Sequence, residues 1–205
     1  ALNQIVLYAG TGPNSSFGHQ GGGLPVGLLR SDNGGASWAL VGSQGPSGLR
    51  ITAVVPTGTM TATGQVILVS ALDKMDAAAV VKQGGIFRSV DGGLTFTRVV
   101  NGSVSDLTTV PGSNSIYAGQ PTVGVLRSDD GGQNWAPVNN GLVNVASTLR
   151  IKLTAQAGAL YAGFIQSIQD VSGTGGVAPR LGGLFRTTDF GAAPAWTALT
   201  LPSST

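Results

Sequence analysis

Nine aspartates, eight arginines, three lysines, one histidine and three tyrosines supply the ionisable side chains of this 205-residue sequence; glutamate and cysteine are absent. Three strings of similar profile, LRITAVVP, SDLTTVPG and LRIKLTAQ, align Arg50, Asp106 and Arg150 at one position. Two guanidinium groups converging on a mouth can grip a carboxylate or a sulfate through paired hydrogen bonds. The competing reading makes them solvated rim charges or Arg–Asp pairs. Cleaving a glycosidic bond asks for two carboxylates flanking it, or a tyrosine with a carboxylate partner. Outside the tight turns described next, Asp73, Asp76, Asp106 and Asp170 are available, and Asp106 can pair with Asp73 or Asp170. Tyr8, Tyr117 and Tyr161 all sit in the repeated strings LYAG, IYAG and LYAG, which counts against a tyrosine nucleophile. His19 has no second histidine and no cysteine to complete a zinc site. Ser128–Gly132 lacks the later acidic ligand of a calcium loop. The expectation is no metal and no cofactor.

The elements that must position these groups come from a phrase written four times: GLLRSDNGGASW (27–38), GIFRSVDGGLTF (85–96), GVLRSDDGGQNW (124–135) and GLFRTTDFGAAPAW (183–196). An apolar pair followed by Arg and Ser reads as a short strand. Asp-x-Gly then makes a turn, with the carboxylate accepting nearby backbone N–H groups and glycine taking positive φ. The aromatic opens the next strand and brings a large apolar surface to bury. Arg30, Arg88, Arg127 and Arg186 recur in every copy, which marks them as structural parts.

This phrase resembles the Asp-box, or BNR repeat, Ser/Thr-x-Asp-x-Gly-x-Thr/Ser-Trp/Phe. Ser89, Asp91, Gly93, Thr95 and Phe96 match it in full. Ser31, Asn33, Gly35 and Trp38 match with Asn for Asp; Ser128, Asp130, Gly132 and Trp135 match with Asn134 at the hydroxyl position. Thr187, Asp189, Gly191 and Trp196 match with two extra residues before the aromatic. The resemblance implies an all-β fold, a β-propeller of four-stranded antiparallel blades whose outer strands the boxes join. Families with the motif include sialidases, xyloglucan-cleaving glycosidases, sortilin-type receptors and a photosystem II assembly factor, a range that makes the box scaffold rather than site.

Strand signals between the boxes fill in the blades. Blade one (1–45) has Gln4–Ala9, Leu28–Ser31 and Trp38–Val41, without an inner strand. Blade two (46–101) has Ile51–Pro56, Gln65–Ala71, Gly85–Val90 and Thr95–Val100. Blade three (102–140) has Ser105–Val110, Ser115–Gly119, Gly124–Ser128 and Trp135–Val138. Blade four (141–205) has Leu149–Ala155, Ala159–Ile165, Gly183–Thr187 and Trp196–Leu199. Closed propellers hold about four to eight blades. The expectation is therefore one segment of a larger ring, completed by the same or another chain.

With strands labelled a to d from the centre, the boxes are c–d turns and lie opposite the b–c loops. The b–c loops are where the repeat breaks: 10–26 with His19, Leu72–Gln83 with Lys74, and Gln166–Leu181 with Arg180. Asp76 is expected to cap a short helix over 77–82. Insertions on one face of a repeat protein usually make its binding face. The candidate ligand contacts are thus Arg50, Asp106, Arg150, His19, Lys74 and Arg180.

Charged residues are 10% of the chain, against about 25% in a typical soluble domain. A net charge of +2 is too small to imply nucleic acid. No apolar run reaches the length of about 18 residues that a membrane helix needs. Few Lys, no Glu and much Gly, Ala, Ser, Thr and Val point to a secreted, periplasmic or cell-surface protein. The reading is a non-catalytic binding or assembly module whose partner is a protein or glycan of acidic character. The alternative is a fragment of a xyloglucanase-like or sialidase-like glycoside hydrolase.

Overall fold

The computed structural model describes residues 5–12, 25–43, 45–75, 81–156, 158–168, 178–191 and 193–201. His19, Asp76 and Asp170 lie outside them. The described residues are almost entirely strand and turn, and they form two compact units. The first comprises 1–104 with the turn tip Gly131–Gln133; the second comprises 105–130 and 134–205.

The first unit opens with a three-stranded antiparallel sheet of β1 (Leu7–Gly10), β2 (Leu28–Ser31) and β3 (Ala39–Val41). A four-stranded antiparallel sheet follows, in the order β4 (Arg50–Met60), β5 (Gln65–Leu72), β8 (Gly85–Ser89) and β9 (Thr97–Asn101). Between β5 and β8, β6 (Lys74–Met75) pairs with β7 (Val81–Lys82) as a two-stranded ribbon. Val81–Lys82 are thus strand where the end of a helix over 77–82 is expected, and residues 77–80 of that helix lie outside the described residues. A helix of one or two turns is marginal by itself, whereas β-branched Val81 suits a strand with a partner alongside.

The second unit repeats the four-stranded plan twice. β10 (Asp106–Thr109), β11 (Ile116–Gln120), β12 (Gly124–Ser128) and β13 (Ala136–Pro137) form one sheet. β14 (Thr148–Gln156), β15 (Ala159–Ile168), β16 (Ala178–Thr187) and β17 (Thr197–Ala198) form the other. A 3-10 turn over Val145–Ser147 leads into β14. β15 and β16 stay in register from Leu160↔Thr187 out to Ile168↔Ala178. The two ends of the expected 166–181 loop are therefore paired strand, because neighbouring antiparallel strands gain ladder hydrogen bonds for as long as they remain extended.

Each unit has its own core. In the first, Leu28, Leu49, Ile51, Ile67, Val69, Ala71, Phe87 and Phe96 pack together. In the second, Ile151, Leu160, Phe164, Phe185 and Trp196 join Val110, Tyr117 and Val125. The strands Gly85–Ser89 and Gly124–Ser128 share one burial sequence, with the arginine the only position not fully buried. The matching glycines of β1 and β11 are close-approach sites. A Cβ on Gly10 would lie 2.5 Å from Ile51 Cγ2, and one on Gly119 would lie 2.8 Å from Ile151 Cβ.

Candidate functional site

The boxes come first, because they fix which end of each sheet is free. In blade two, Ser89 Oγ donates to Asp91 Oδ1 at 2.6 Å and accepts the Gly93 amide at 2.8 Å. Asp91 also accepts the Leu94 and Thr95 amides, each at 3.0 Å, and the Thr95 hydroxyl. Burial pushes the Asp91 carboxyl up, but these hydrogen bonds outweigh it and hold the group at about 2. In blade one, Asn33 Oδ1 takes the Ser31 hydroxyl and the Ser37 amide, while its Nδ2 donates to Ser37 Oγ. In blade three, Asp130 takes the Ser128 hydroxyl and the Asn134 amide. Blade four departs from this plan: Thr187 Oγ1 donates to the Asp189 carbonyl, and Asp189 Oδ1 accepts the Gly191 amide instead of reaching past it. The longer spacing to Trp196 pulls the later amides away. Trp196 is nonetheless buried, with Nε1 donating to Val138 O at 2.7 Å.

The β4–β5 turn lies beside its box, for the Thr61 and Thr63 hydroxyls both donate to Val90 O. The β5–β8 connection lies at the opposite end of that sheet, with the chain leaving β9. There the Asp73 amide donates to Ser103 Oγ at 2.8 Å, and Asp73 Oδ1 accepts the Gly84 amide at 2.6 Å. Arg50 Nη2 donates to Asp73 O at 3.3 Å, and Arg98 Nη1 donates to Gln83 O at 3.3 Å. Lys74 is half-buried at this end, and the β6–β7 register sets it opposite Lys82. A depression of about 430 Å³ opens here, lined by Ser43, Gly45, Ser47, Leu49, Gln83, Phe87 and Arg98. One guanidinium, two hydroxyls and an amide line it together with Phe87 and Leu49.

In the second unit Asp106 is a scaffold acceptor. One carboxylate oxygen takes the Leu107 amide and the other the Leu153 amide, each at 3.0 Å, with Lys152 Nζ 3.5 Å away. Strand register corrects the expected alignment of Asp106 with the two arginines. Ile116 faces Ser128 and Leu160 faces Thr187, so Gly119 corresponds to Gly163. Gly119 faces Asp106, while Gly163 faces Lys152. Asp106 is thus the counterpart of Lys152, and Val104, whose amide donates to Ala71 O as the Ile51 amide donates to Thr11 O, answers to Ile51. Arg50 and Arg150 do correspond: Arg50 pairs with Leu72 and Arg150 with Ile165, each two residues past the matched position on the second strand. Leu107 matches Leu153 rather than Ile151, since they face the equivalent Ala118 and Ala162. Arg150 and Arg180 are exposed on β14 and β16.

A second depression, of about 330 Å³, lies at a box turn of the second unit, between Arg127, Asp129, Asp130, Asn134, Trp135 and Ala136. Its carboxylates are already engaged, while Arg127 Nη1 is buried without a hydrogen-bond partner. Asp129 accepts from Ser115 Oγ at 2.6 Å and from Arg127 Nε at 2.9 Å, and Asp130 serves the box. No group of three or more His, Cys, Asp or Glu suited to a metal occurs among the described residues. Sequence reasoning missed Arg98 and Gln83. The available signal was broken repetition, since Arg98 is the only arginine among the four outer strands β3, β9, β13 and β17.

The sequence matches no protein-family model and no curated protein. Its fold does match solved structures. An ancestral GH74 enzyme superposes with TM-score 0.58 at 21% identity, over 85% of this chain and 23% of that one. A GH74 enzyme of Niastella koreensis gives 0.59 at 18%, over 96% and 28%. The GH74 xyloglucanase of Xanthomonas campestris gives 0.55 at 19%, over 99% and 30%. The chain thus spans less than a third of the length of each. Four antiparallel sheets, each with a box hairpin joining its two outer strands, and these matches over most of the chain, are the fold of a partial β-propeller of the Asp-box type.

Proposed function

We propose that this chain is a non-catalytic binding segment of an exported or cell-surface propeller protein, and that it takes an acidic protein or glycan at the end of blade two opposite the box. The carrying observation is how the carboxylates are used. Of the described aspartates available for hydrolysis, Asp106 spends both carboxylate oxygens on backbone amides and Asp73 spends Oδ1 on the Gly84 amide. A general acid or nucleophile needs an oxygen directed at substrate. The depression beside Asp73 is lined instead by Arg98, Ser43, Ser47 and Gln83, donors suited to carboxylate or sulfate oxygens. Arg50 and Lys74 stand at the same end and add positive charge.

Polygalacturonate, a polycarboxylate glycan, and neutral xyloglucan oligosaccharides are the probes. The expected result is binding of the first and not the second, weakening as salt rises and lost in Arg98→Gln. Hydrolysis of xyloglucan or of aryl-glycosides by the chain would overturn the reading in favour of a glycosidase segment, to which the GH74 likeness lends its only support. Failure of Arg98→Gln to alter polygalacturonate binding would move the seat elsewhere.

A further inference from the structure

Tyr161 and Gly163 sit at repeat positions whose counterparts are filled, and theirs are open. In the first unit, Tyr8 OH donates to Gly92 O at 2.7 Å, and a Cβ on Gly93 would lie 2.8 Å from the Tyr8 ring. Blade two repeats the contact with other side chains. Leu68 stands where Tyr8 does, a Cβ on Gly132 would lie 2.5 Å from it, and Arg88 Nε donates to Gly131 O at 2.9 Å. The second strand of one blade therefore reads the Gly-Gly tip of the following box. The LYAG glycine makes a second contact. Gly10 receives Ile51, and Gly119 receives Ile151, each from the first strand of the following blade.

In blade four Tyr161 faces Arg186 across the β15–β16 pair, as Tyr8 faces Arg30 and Tyr117 faces Arg127. Neither hydroxyl of Tyr117 and Tyr161 has a hydrogen-bond partner among the described residues, and both rings have an arginine guanidinium at 6.0 Å, but Tyr117 is fully buried while Tyr161 is only partly so. A Cβ on Gly163 would meet nothing closer than 3.7 Å. β5 is buried on both faces through Val66–Ala71, but β15 alternates, with Leu160, Ala162 and Phe164 buried and Tyr161, Gly163 and Ile165 only partly so. Leu181 extends that open face at 42% exposure.

We infer that this face of blade four is the seat of a further four-stranded Asp-box blade, whose first strand sets a β-branched residue on Gly163 and whose Gly-Gly tip accepts the Tyr161 hydroxyl. The occupant follows from continuity with the two contacts that the chain already makes. A second copy of the chain offers less. Its blade one presents the Gly34–Gly35 tip but, in the described residues, no first strand to reach Gly163.

The test extends the full chain at its C-terminus with a second copy of residues 46–101, which carries Ile51 and the Gly92–Gly93 tip. Hydroxyl-radical labelling of Tyr161 is read in the chain and in the extended chain. Labelling falls to the level of Tyr117 on extension. Gly163→Val leaves the original chain's Tm unchanged, but in the extended chain it restores Tyr161 labelling, because the added side chain occupies the seat. If the first extension does not fold, residues 102–143, with Val104 and Gly131–Gly132, serve as the added blade. Undiminished Tyr161 labelling in a folded extended chain overturns the inference. So does a Gly163→Val effect that is equal in both forms. A head-to-tail dimer of the original chain with Tyr161 protected gives the seat to a second copy and overturns it as well. Polygalacturonate binding, read at the other seat, is independent of all three outcomes.

Discussion

Replacing Asp91 separates what the box carboxylate does by charge from what it does by shape. Asp91 accepts from Ser89 Oγ, Leu94 N, Thr95 N and Thr95 Oγ1. Each such bond nets about 0.5–1.5 kcal/mol when formed on folding. The amides of Leu94 and Thr95 are exposed, however, and regain water when the carboxylate is removed. The cost of Asp91→Ala is therefore about 0.5–2 kcal/mol, as for a lost helix cap, and not the sum of four bonds. Asp91→Asn should cost less than about 0.5 kcal/mol, since Asn33 already makes the equivalent bonds in blade one, with Nδ2 donating to the Ser37 hydroxyl. The two variants also differ with pH. Asp91 titrates at about 2 when folded against 3.8 for the free side chain. A depressed carboxylate contributes stability that is complete above about 3.8 and lost as pH falls through about 2. Solvent exposure screens the effect and keeps it small. Urea unfolding followed by circular dichroism, at pH 7 and again between pH 4 and 2, gives the comparison. The wild type should lose more stability across the acid range than Asp91→Asn. An Asp91→Asn variant as unstable as Asp91→Ala at pH 7 would refute the claim that shape carries the turn.

Gly119→Ala should cost about 1–3 kcal/mol through overpacking, since its Cβ would stand 2.8 Å from Ile151 Cβ and 2.9 Å from Ile151 O; a Tm equal to wild type would contradict the close approach. Trp196→Phe should be destabilising by about 1–3 kcal/mol, because it strands Val138 O in a buried position, whereas Trp38→Ser, at a side chain 44% exposed, should stay within about 1 kcal/mol. Chemical denaturation of the two side by side decides this. In the full chain, Arg50→Ala should weaken polygalacturonate binding at low salt and leave the circular dichroism spectrum unchanged. Unaltered affinity would class Arg50 as a rim charge.

The local chemistry of the turns was open to reading from residues alone. Ser-x-Asp-x-Gly closes a hairpin by bonds that span at most four residues, so the boxes need no tertiary information to be recognised. Asn33 can be read as a substitute on the same ground. The short β-branched runs between the boxes located every principal strand of the four sheets, to within a few residues at most ends. Tertiary structure alone decided three things. Whether strands continue into a connection depends on a partner remaining alongside, which is why Val81–Lys82 and the two ends of the 166–181 connection are paired strand. Which residues correspond between blades depends on register, and one bulge at Thr52 and one two-residue slip were enough to put Asp106 in the wrong column. Whether a charge is free depends on which amides fold back to it: Asp73 and Asp106 read as candidate catalysts in the sequence, and the backbone of residues 84, 107 and 153 makes them acceptors. Turn chemistry is short-range and written in consecutive residues; register and the engagement of a carboxylate are settled by segments that meet only once the chain has folded.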